Sequence, residues 1–258
     1  MIKNEELIRQ YAPAVFATAP ADRVSDRYEF LPTTDILEVL QEEGWVTRSA
    51  SQVKSRTWSN DHAKHMLRLR HESISEDQFG VGDSFPEIVL VNCHNGLGAY
   101  QLHGGIFRLV CSNGMVIASS TYGGVKQRHI GFDPQEVVKA SQKISNDVAE
   151  VSDVIRKWSE IELDQEQTNR FVTEAATARF ADGIDESVLS ALNAPRRFED
   201  NRNDLWTTSN RVQENLIRGG FRNAETRRMV RGISNIDTDV RINKELWRVT
   251  EEFAASMN

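Results

Sequence analysis

The stretch that decides the fold is HGGIFRLVCSNGMV, residues 103–116. Residues 106–111 are mostly of types that favour β-strands, and Asn113-Gly114 separates them from a second apolar run. Because Asn and Gly both tolerate the positive φ angles of a type I′ turn, this pattern is the strongest short-range signal for a β-hairpin. The sequence therefore predicts a hairpin here, at the centre of an antiparallel sheet.

Four segments upstream of this hairpin also have strand patterns. Residues 45–49, 52–58 and 65–70 alternate apolar or aromatic side chains with polar ones, as half-exposed strands do, and a short helix is the alternative for 65–70. Residues 88–91 are a compact, continuous apolar run. Together with the hairpin, these segments predict an antiparallel β-meander.

A long helix is predicted directly after the sheet. Asp133 as N-cap, Pro134 at the first helical position and Glu136 three residues after the cap mark its start. Apolar residues then recur at spacings of four and three, in a narrow seam formed by Ile144, Val148, Val151, Ile155 and Trp158. We expect the seam to pack across the sheet, and the alternative is a seam that faces a partner.

The fold class that follows is α+β, an antiparallel meander packed by a long helix and followed by a helical C-terminal region. We predict an N-terminal arm over residues 1–30, an α+β core over 31–162 and a helical region over 163–258. In the helical region, Gly219-Gly220 predicts a flexible basic break, and residues 223–232 are predicted to form the next helix.

Composition excludes several classes of protein. The 258 residues are 39% hydrophobic and 27% charged, which is ordinary for a globular protein, and no apolar run approaches the ~18 residues that span a bilayer. The N-terminus is acidic where a secretory signal needs a basic start, so a cytoplasmic location is expected. Two cysteines, Cys93 and Cys111, are too few for a disulfide framework.

Charge is strongly segregated along the chain. The formal net charge is −7, yet residues 48–70 carry six basic residues against the single acid Asp61. A second basic run holds Arg211, Arg218, Arg222, Arg227, Arg228 and Arg231. Since binding follows the local potential rather than the total charge, such runs on an acidic protein can still bind a polyanion.

Two segments carry a resemblance to a known family. Residues 89–100 contain the turn His94-Asn95-Gly96, and residues 107–114 read Phe-Arg-Leu-Val-Cys-Ser-Asn-Gly. The chain resembles the phage- and plasmid-like domain of unknown function numbered 932, over roughly residues 25–255. Members of that family have Asp where this chain has Asn95, and a later His that corresponds to His129. The family's Trp-x-x-x-Asn segment corresponds to residues 206–210. The resemblance implies a setting in phages, prophages and plasmids, in genes concerned with nucleic acids or with host conflict. A phage-encoded chain is then expected in the cytoplasm of the host cell.

No catalytic motif is evident in the sequence. His94 and His129 are candidate metal ligands, but no pair of His or Cys residues has a spacing that places two ligands on one element. Cys93 and Cys111 lack an evident base, because His94 and its neighbour Cys93 point to opposite faces of a strand. We therefore expect no cofactor and no enzymatic activity, although a metal-dependent nuclease is kept as a third alternative.

The function that the pattern favours best is binding of single-stranded DNA. Proteins that hold single strands combine cations for the phosphates with aromatic side chains on which bases stack. The predicted nucleic-acid-binding residues are Arg48, Lys54, Arg56, Trp58, Arg68, Arg70, Arg108, Lys126, Arg128 and Arg211. The meander followed by a long helix is similar to the core of single-strand annealing proteins, which implies strand annealing or recombination by a homo-oligomeric ring or filament. The main alternative is a phage or plasmid protein that inhibits a host defence or replication protein by direct contact. No membrane partner is expected.

Overall fold

The computed structural model describes residues 2–54, 60–74, 84–108, 114–116, 124–127, 134–181 and 184–257. The chain divides into two compact units. Unit 1 comprises Met1–Gly80, Phe85–Ile106 and Ser120–Asp147, and unit 2 comprises Val81–Ser84, Phe107–Ser119 and Val148–Asn258.

Among the described residues, two α-helices precede the strands of the main sheet, and the remaining α-helices and a small hairpin follow them. The helices are α1 (Glu5–Tyr11), α2 (Thr33–Glu42), α3 (Pro134–Glu160), α4 (Gln165–Ala176), α5 (Glu186–Asn193), α6 (Leu205–Arg218) and α7 (Ile236–Ser256). The strands are β1 (Trp45–Gln52), β2 (His65–His71), β3 (Ser84–Asn92), β4 (Tyr100–Arg108), β5 (Gly114–Val116), β6 (Gly124–Gln127), β7 (Phe221–Arg222) and β8 (Met229–Val230). Short 3₁₀ helices cover Pro13–Phe16, Asn60–His62 and Phe198–Asn201.

The main sheet follows the predicted meander. Its strand order is β1-β2-β3-β4-β5, with β6 paired to β4. The β1–β2 and β2–β3 pairs are antiparallel, with Leu67 opposite Ala50 on one side and Leu90 on the other. The predicted strands on either side of Asn113 are present as β4 and β5, which are neighbours in the sheet. The α+β fold class is confirmed.

One hydrophobic core holds unit 1 together. Side chains of α2, of strands β1 to β4 and of the first half of α3 share it, with Leu40, Leu67 and Tyr100 almost fully buried. The N-terminal residues predicted as an arm contribute Ile8 and Val15, both completely buried. This segment therefore forms part of unit 1 in the structure.

Unit 2 is mostly helical and packs around aromatic side chains. The rings of Trp158 and Trp247 lie 4.7 Å apart, and Phe171 meets Phe253 edge to face at 5.2 Å. Helix α6 lies at its centre, since every residue from Leu205 to Ile217 is buried. Residues 223–232, predicted as a helix, instead form the loop and second strand of the small β7–β8 hairpin, and this corrects the prediction.

Three of the five residues of the α3 seam are buried by the protein itself. Ile144 is buried in unit 1, and Val151 and Trp158 are buried in unit 2. The alternative of a partner-facing seam therefore does not apply to these three positions. Among the helices of the described residues, none is both long and apolar enough to cross a membrane.

Candidate nucleic-acid interface

Two of the predicted DNA-binding residues, Arg48 and Lys54, are exposed in unit 1. Arg48 lies on β1 at an irregularity of the β1–β2 register, between Thr47 and Ser49. Lys54 follows the end of β1 by two residues. Both remain accessible to an anion from solvent.

Arg68 and Arg70 bind the carboxylate of Glu87 instead of facing solvent. The Nε of Arg68 donates to Oε2 of Glu87 at 2.8 Å. Arg70 donates to Oε1 through Nε at 3.0 Å and through Nη2 at 2.8 Å. Glu87 is completely buried and Arg70 is 5% exposed, and the Arg70 guanidinium lies 3.8 Å from the ring centroid of Phe85.

This arrangement corrects the predicted role of the two arginines. The alternation of β2 places Leu67 and Leu69 on one face of the strand and Arg68 and Arg70 on the other, as expected. The second face is also covered, because residues 85–92 of the adjacent β3 are all buried. A continuous apolar run such as 88–91 is typical of a strand buried on both faces. The charges of Arg68 and Arg70 therefore stabilise the fold of unit 1 rather than an interface.

Arg211 is likewise an internal residue, in unit 2. It is 4% exposed, and its guanidinium donates to the carbonyl oxygen of Asp200 at 2.9 Å and to Oδ1 of Asn193 at 2.7 Å. Burial lowers the pKa of Arg211, an effect that the charges of Asp200 and Asp204 partly oppose. The predicted contact of Arg211 with nucleic acid is corrected accordingly, because its donors are used to connect α5 and α6.

The remaining predicted residues lie wholly or by their side chains outside the described part of the chain. Arg56, Trp58, Arg128, Cys111 and His129 lie outside the described residues. Arg108 and Lys126 lie on β4 and β6, and their side chains are outside the description.

The candidate ligand His94 belongs to a buried polar cluster in unit 1. Oγ1 of Thr33 lies 2.8 Å from Nε2 of His65 and 3.1 Å from Nε2 of His94, and it accepts a hydrogen bond from Nδ2 of Asn92 at 3.0 Å. The two imidazole rings are 5.2 Å apart, and both histidines are fully buried. Burial lowers the pKa of His65 to about 4, so its ring is neutral near pH 7. The described residues contain no group of three or more His, Cys, Asp or Glu side chains placed to hold a metal ion.

Unit 2 presents a cationic surface that we call the arginine hairpin, residues 218–231. Gly219 ends α6 with φ +57, and a Cβ atom there would lie 2.5 Å from the carbonyl oxygen of Val230, so only glycine permits this close approach of the chain. The N–H of Gly220 donates to that same oxygen at 2.8 Å, and β7 then pairs with β8. The exposed cations of the hairpin are Arg218, Arg222, Arg227, Arg228 and Arg231.

Four of these arginines carry charge that the fold does not neutralise. Within the part of the chain that the structure describes, Arg222, Arg227, Arg228 and Arg231 form no ion pair. Arg218 differs, since its Nε lies 3.2 Å from Oε1 of the buried Glu214. The hairpin therefore offers several guanidinium groups to an external anion.

Side chains at the start of α5 hold the loop of the hairpin in place. The N–H of Glu225 donates to Oδ2 of Asp185 at 2.9 Å, and the N–H of Ala224 donates to Oγ of Ser187 at 3.0 Å. The hydrogen bond from Ser187, followed by those from the N–H groups of Glu225 and Val188, lowers the pKa of Asp185. The loop between β7 and β8 is thus anchored to a helix at two consecutive amides.

The hairpin was visible in the sequence only as a basic run. That run included Arg218, Arg222, Arg227, Arg228 and Arg231, but only its first member, Arg211, was predicted as a contact. The exposed Phe198, which follows Arg196 and Arg197, was missed altogether. Composition gave no signal for it, because one Phe in a loop can be either buried or exposed.

Comparison with known proteins identifies relatives across nearly the whole chain. A family model described as "Domain of unknown function (DUF932)" matches residues 20–247. The chain is 36% identical over 254 residues to the UPF0380 protein YafZ of Escherichia coli (strain K12), which covers 97% of this chain and 90% of that protein. The UPF0380 protein YfjQ of the same strain matches with the same identity and coverage. No solved structure matches the chain.

Proposed function

The chain belongs to the DUF932 family, and on that premise we propose that it binds single-stranded DNA through the arginine hairpin of unit 2. One observation carries the proposal: Arg222, Arg227, Arg228 and Arg231 are exposed, close together in the chain and without an ion pair among the described residues. Phosphate suits such a group of guanidiniums, because each guanidinium can donate two parallel hydrogen bonds to it.

The acidic total charge does not oppose this binding. Residues 218–232 contain five arginines and one acid, Glu225. At physiological ionic strength, charges more than about 8 Å apart are largely screened, so a bound strand responds to the hairpin more than to distant acids. The local potential of the hairpin is therefore the relevant one.

The anchoring of the loop supports the same function. Asp185 and Ser187 hold the amides of Glu225 and Ala224, and Oδ1 of Asn223 accepts from the N–H of Thr226 at 2.6 Å. A loop that is ordered before binding loses less conformational entropy when a ligand arrives. The arginines are thus presented from a preformed surface.

The test is a fluorescence anisotropy titration of a labelled single-stranded oligonucleotide with the full chain at several salt concentrations. The variant Arg222→Gln/Arg228→Gln removes two cations of the hairpin. Each lost phosphate contact lowers the slope of log K against log salt by about 0.7 for single strands, so we expect a reduction of about 1.4 and binding about tenfold weaker.

A matched control removes two arginines of the same unit that are already in ion pairs. Arg170 lies 4.0 Å from Glu174, and Arg248 binds Glu245 and Glu252. The variant Arg170→Gln/Arg248→Gln has the same change of net charge and should bind as the wild type does. Absence of binding by the wild type at low salt, or equal losses in the two variants, would contradict the proposal.

Strand annealing or recombination, assembly into a homo-oligomer and a cytoplasmic location are finer parts of the same proposal. They are supported by the topology, a meander followed by a long helix, and by the resemblance to phage and plasmid proteins. Annealing predicts that the protein accelerates pairing of two complementary labelled strands, and assembly predicts a complex whose mass, by light scattering, is a multiple of one chain. An unchanged pairing rate would remove annealing and leave DNA binding intact.

The two alternative functions stay predictions. An inhibitor of a host protein would use its acidic surface and a partner-facing seam on α3, and the burial of Ile144, Val151 and Trp158 removes three of the five seam positions from that role. A metal-dependent nuclease is tested by none of the contacts described above.

A further inference from the structure

Phe198 is the most exposed large apolar side chain among the described residues, at 85%. It begins the 3₁₀ helix Phe198–Asn201, between α5 and α6. Exposure alone says little, because single apolar side chains are common on protein surfaces. The groups on either side of Phe198 in the chain are what make its position informative.

The backbone around Phe198 is fixed from both sides. Before it, Arg197 binds Oε1 of Glu214 at 2.5 Å and Oδ2 of Asp200 at 3.3 Å. After it, Nδ2 of Asn201 donates to the carbonyl oxygen of Phe198 at 3.0 Å. The Phe198 ring therefore projects into solvent from an anchored turn.

The same contacts connect this turn to the arginine hairpin. The guanidinium of Arg196 donates to the carbonyl oxygen of Gly219, the second residue of the arginine hairpin, at 2.5 Å. The Oε1 atom of Glu214 that binds Arg197 also binds Nε of Arg218 at 3.2 Å. Phe198 thus directly follows Arg197, which shares the acceptor Glu214 with Arg218 of the hairpin. The residue before Arg197, Arg196, contacts the hairpin directly.

We propose that Phe198 is the residue on which a nucleobase stacks, and that it gives the site its preference for single strands over duplexes. This inference rests on the proposed function, since it assumes that phosphates bind at the arginine hairpin. A single strand exposes the faces of its bases, whereas a duplex keeps them stacked on one another. An exposed aromatic ring next to phosphate-binding cations is the combination that single-strand-binding proteins use.

The experiment compares Phe198→Ala and Phe198→Trp with the wild type in the full chain. The probes are a labelled single-stranded oligonucleotide, the duplex of the same sequence and a single strand in which abasic sites replace the central nucleotides. Because loss of one stacking contact weakens single-strand binding by an order of magnitude, we expect Phe198→Ala to bind the first probe about tenfold more weakly. Its affinity for the duplex and for the abasic strand, and its salt slope, should not change. Phe198→Trp should retain the wild-type affinity.

A matched control truncates another exposed apolar side chain. Leu97, in unit 1, is 68% exposed, and Leu97→Ala should bind all three probes as the wild type does. Because Phe198 is exposed, its truncation leaves the core unchanged, and the variant should fold. If Phe198→Ala binds the single strand normally, or loses affinity equally for all probes, the inference is overturned. The proposed function fails separately, when the hairpin arginines can be replaced without a change in the salt slope.

Discussion

Two groups of arginines, one in each unit, are held in opposite ways. In unit 1, Arg68 and Arg70 converge on one buried carboxylate, that of Glu87. In unit 2, Arg222 and Arg228 are exposed on the arginine hairpin, whose backbone N–H groups are held by side chains at the start of α5. The first arrangement uses cations to stabilise strands, and the second leaves cations available to a ligand. Basic runs of similar composition in the sequence thus differ in structure, and the position of the carboxylates decides whether the arginines are paired.

The largest expected effect tests the structural half of this comparison. Glu87→Gln leaves Arg68 and Arg70 without their buried anion, and breaking such a pair costs about 3–5 kcal/mol. We expect urea unfolding to show a loss of this size in the free energy of unfolding. Single-strand binding by the folded fraction should not change.

The control for this prediction is an exposed acid of the other unit. Glu225 lies in the loop of the arginine hairpin, and Glu225→Gln should alter the free energy of unfolding by less than about 0.5 kcal/mol. If Glu87→Gln were equally mild, the buried arginines would have little structural role and the contrast between the units would fail.

The sequence predicted this contrast only in part. The alternation of residues 65–70 correctly placed Arg68 and Arg70 on the face opposite Leu67 and Leu69. Periodicity in one strand cannot tell whether that opposite face is covered, and Glu87 is 17 residues away from Arg70 in the chain. The continuous run 88–91 was the available signal, since it indicated a strand with two buried faces.

The fold was easier to predict than the candidate site, for a physical reason. The meander and α3 have long periodic patterns and strong turn or cap signals, such as Asn113-Gly114 and Asp133-Pro134. Strands β7 and β8 have two residues each, which is too short for any periodicity. Gly219 and Gly220 indicated a break, but the close approach to Val230 that makes it a hairpin depends on tertiary structure.

The second prediction concerns pH and the buried polar cluster of unit 1. Folded His65 binds a proton only near pH 4, whereas in the unfolded chain it does so near pH 6.5. Unfolding therefore takes up a proton between these two values, and the free energy of unfolding falls as the pH is lowered through this window. The full loss from this residue is about 3 kcal/mol, at about 1.4 kcal/mol per pH unit, and it levels off below pH 4.

Urea unfolding at half-unit steps from pH 7.5 to 3.5 measures this contribution. His65→Gln should lack it, so that the difference between wild type and variant shrinks as the pH falls. His62→Gln replaces a less buried histidine nearby and should keep the wild-type pH profile. A His65→Gln profile parallel to that of the wild type would contradict the prediction. Such a result would mean that unit 1 holds a protonated, buried His65 without a loss in its free energy of unfolding.

The smallest expected effect tests whether anchoring of the hairpin loop matters for binding. Ser187→Ala removes the acceptor of the Ala224 N–H and the hydroxyl that donates to Asp185, without changing any charge, and alanine suits the first turn of α5 at least as well as serine does. We expect a loss of about 1–2 kcal/mol in the free energy of unfolding. Binding of single-stranded DNA should weaken by about two- to threefold, because part of the loop then becomes ordered only on binding and loses conformational entropy at that step.

Ser190→Ala is the matched control, since Ser190 is exposed on the same helix and makes no hydrogen bond to the hairpin among the described residues. It should leave both quantities unchanged. If Ser187→Ala lowered stability but not affinity, the arginines would bind phosphate equally well from a loosened loop. The two units would then differ only in whether a carboxylate lies within reach of the guanidinium groups, and preorganisation of the hairpin would not contribute to binding.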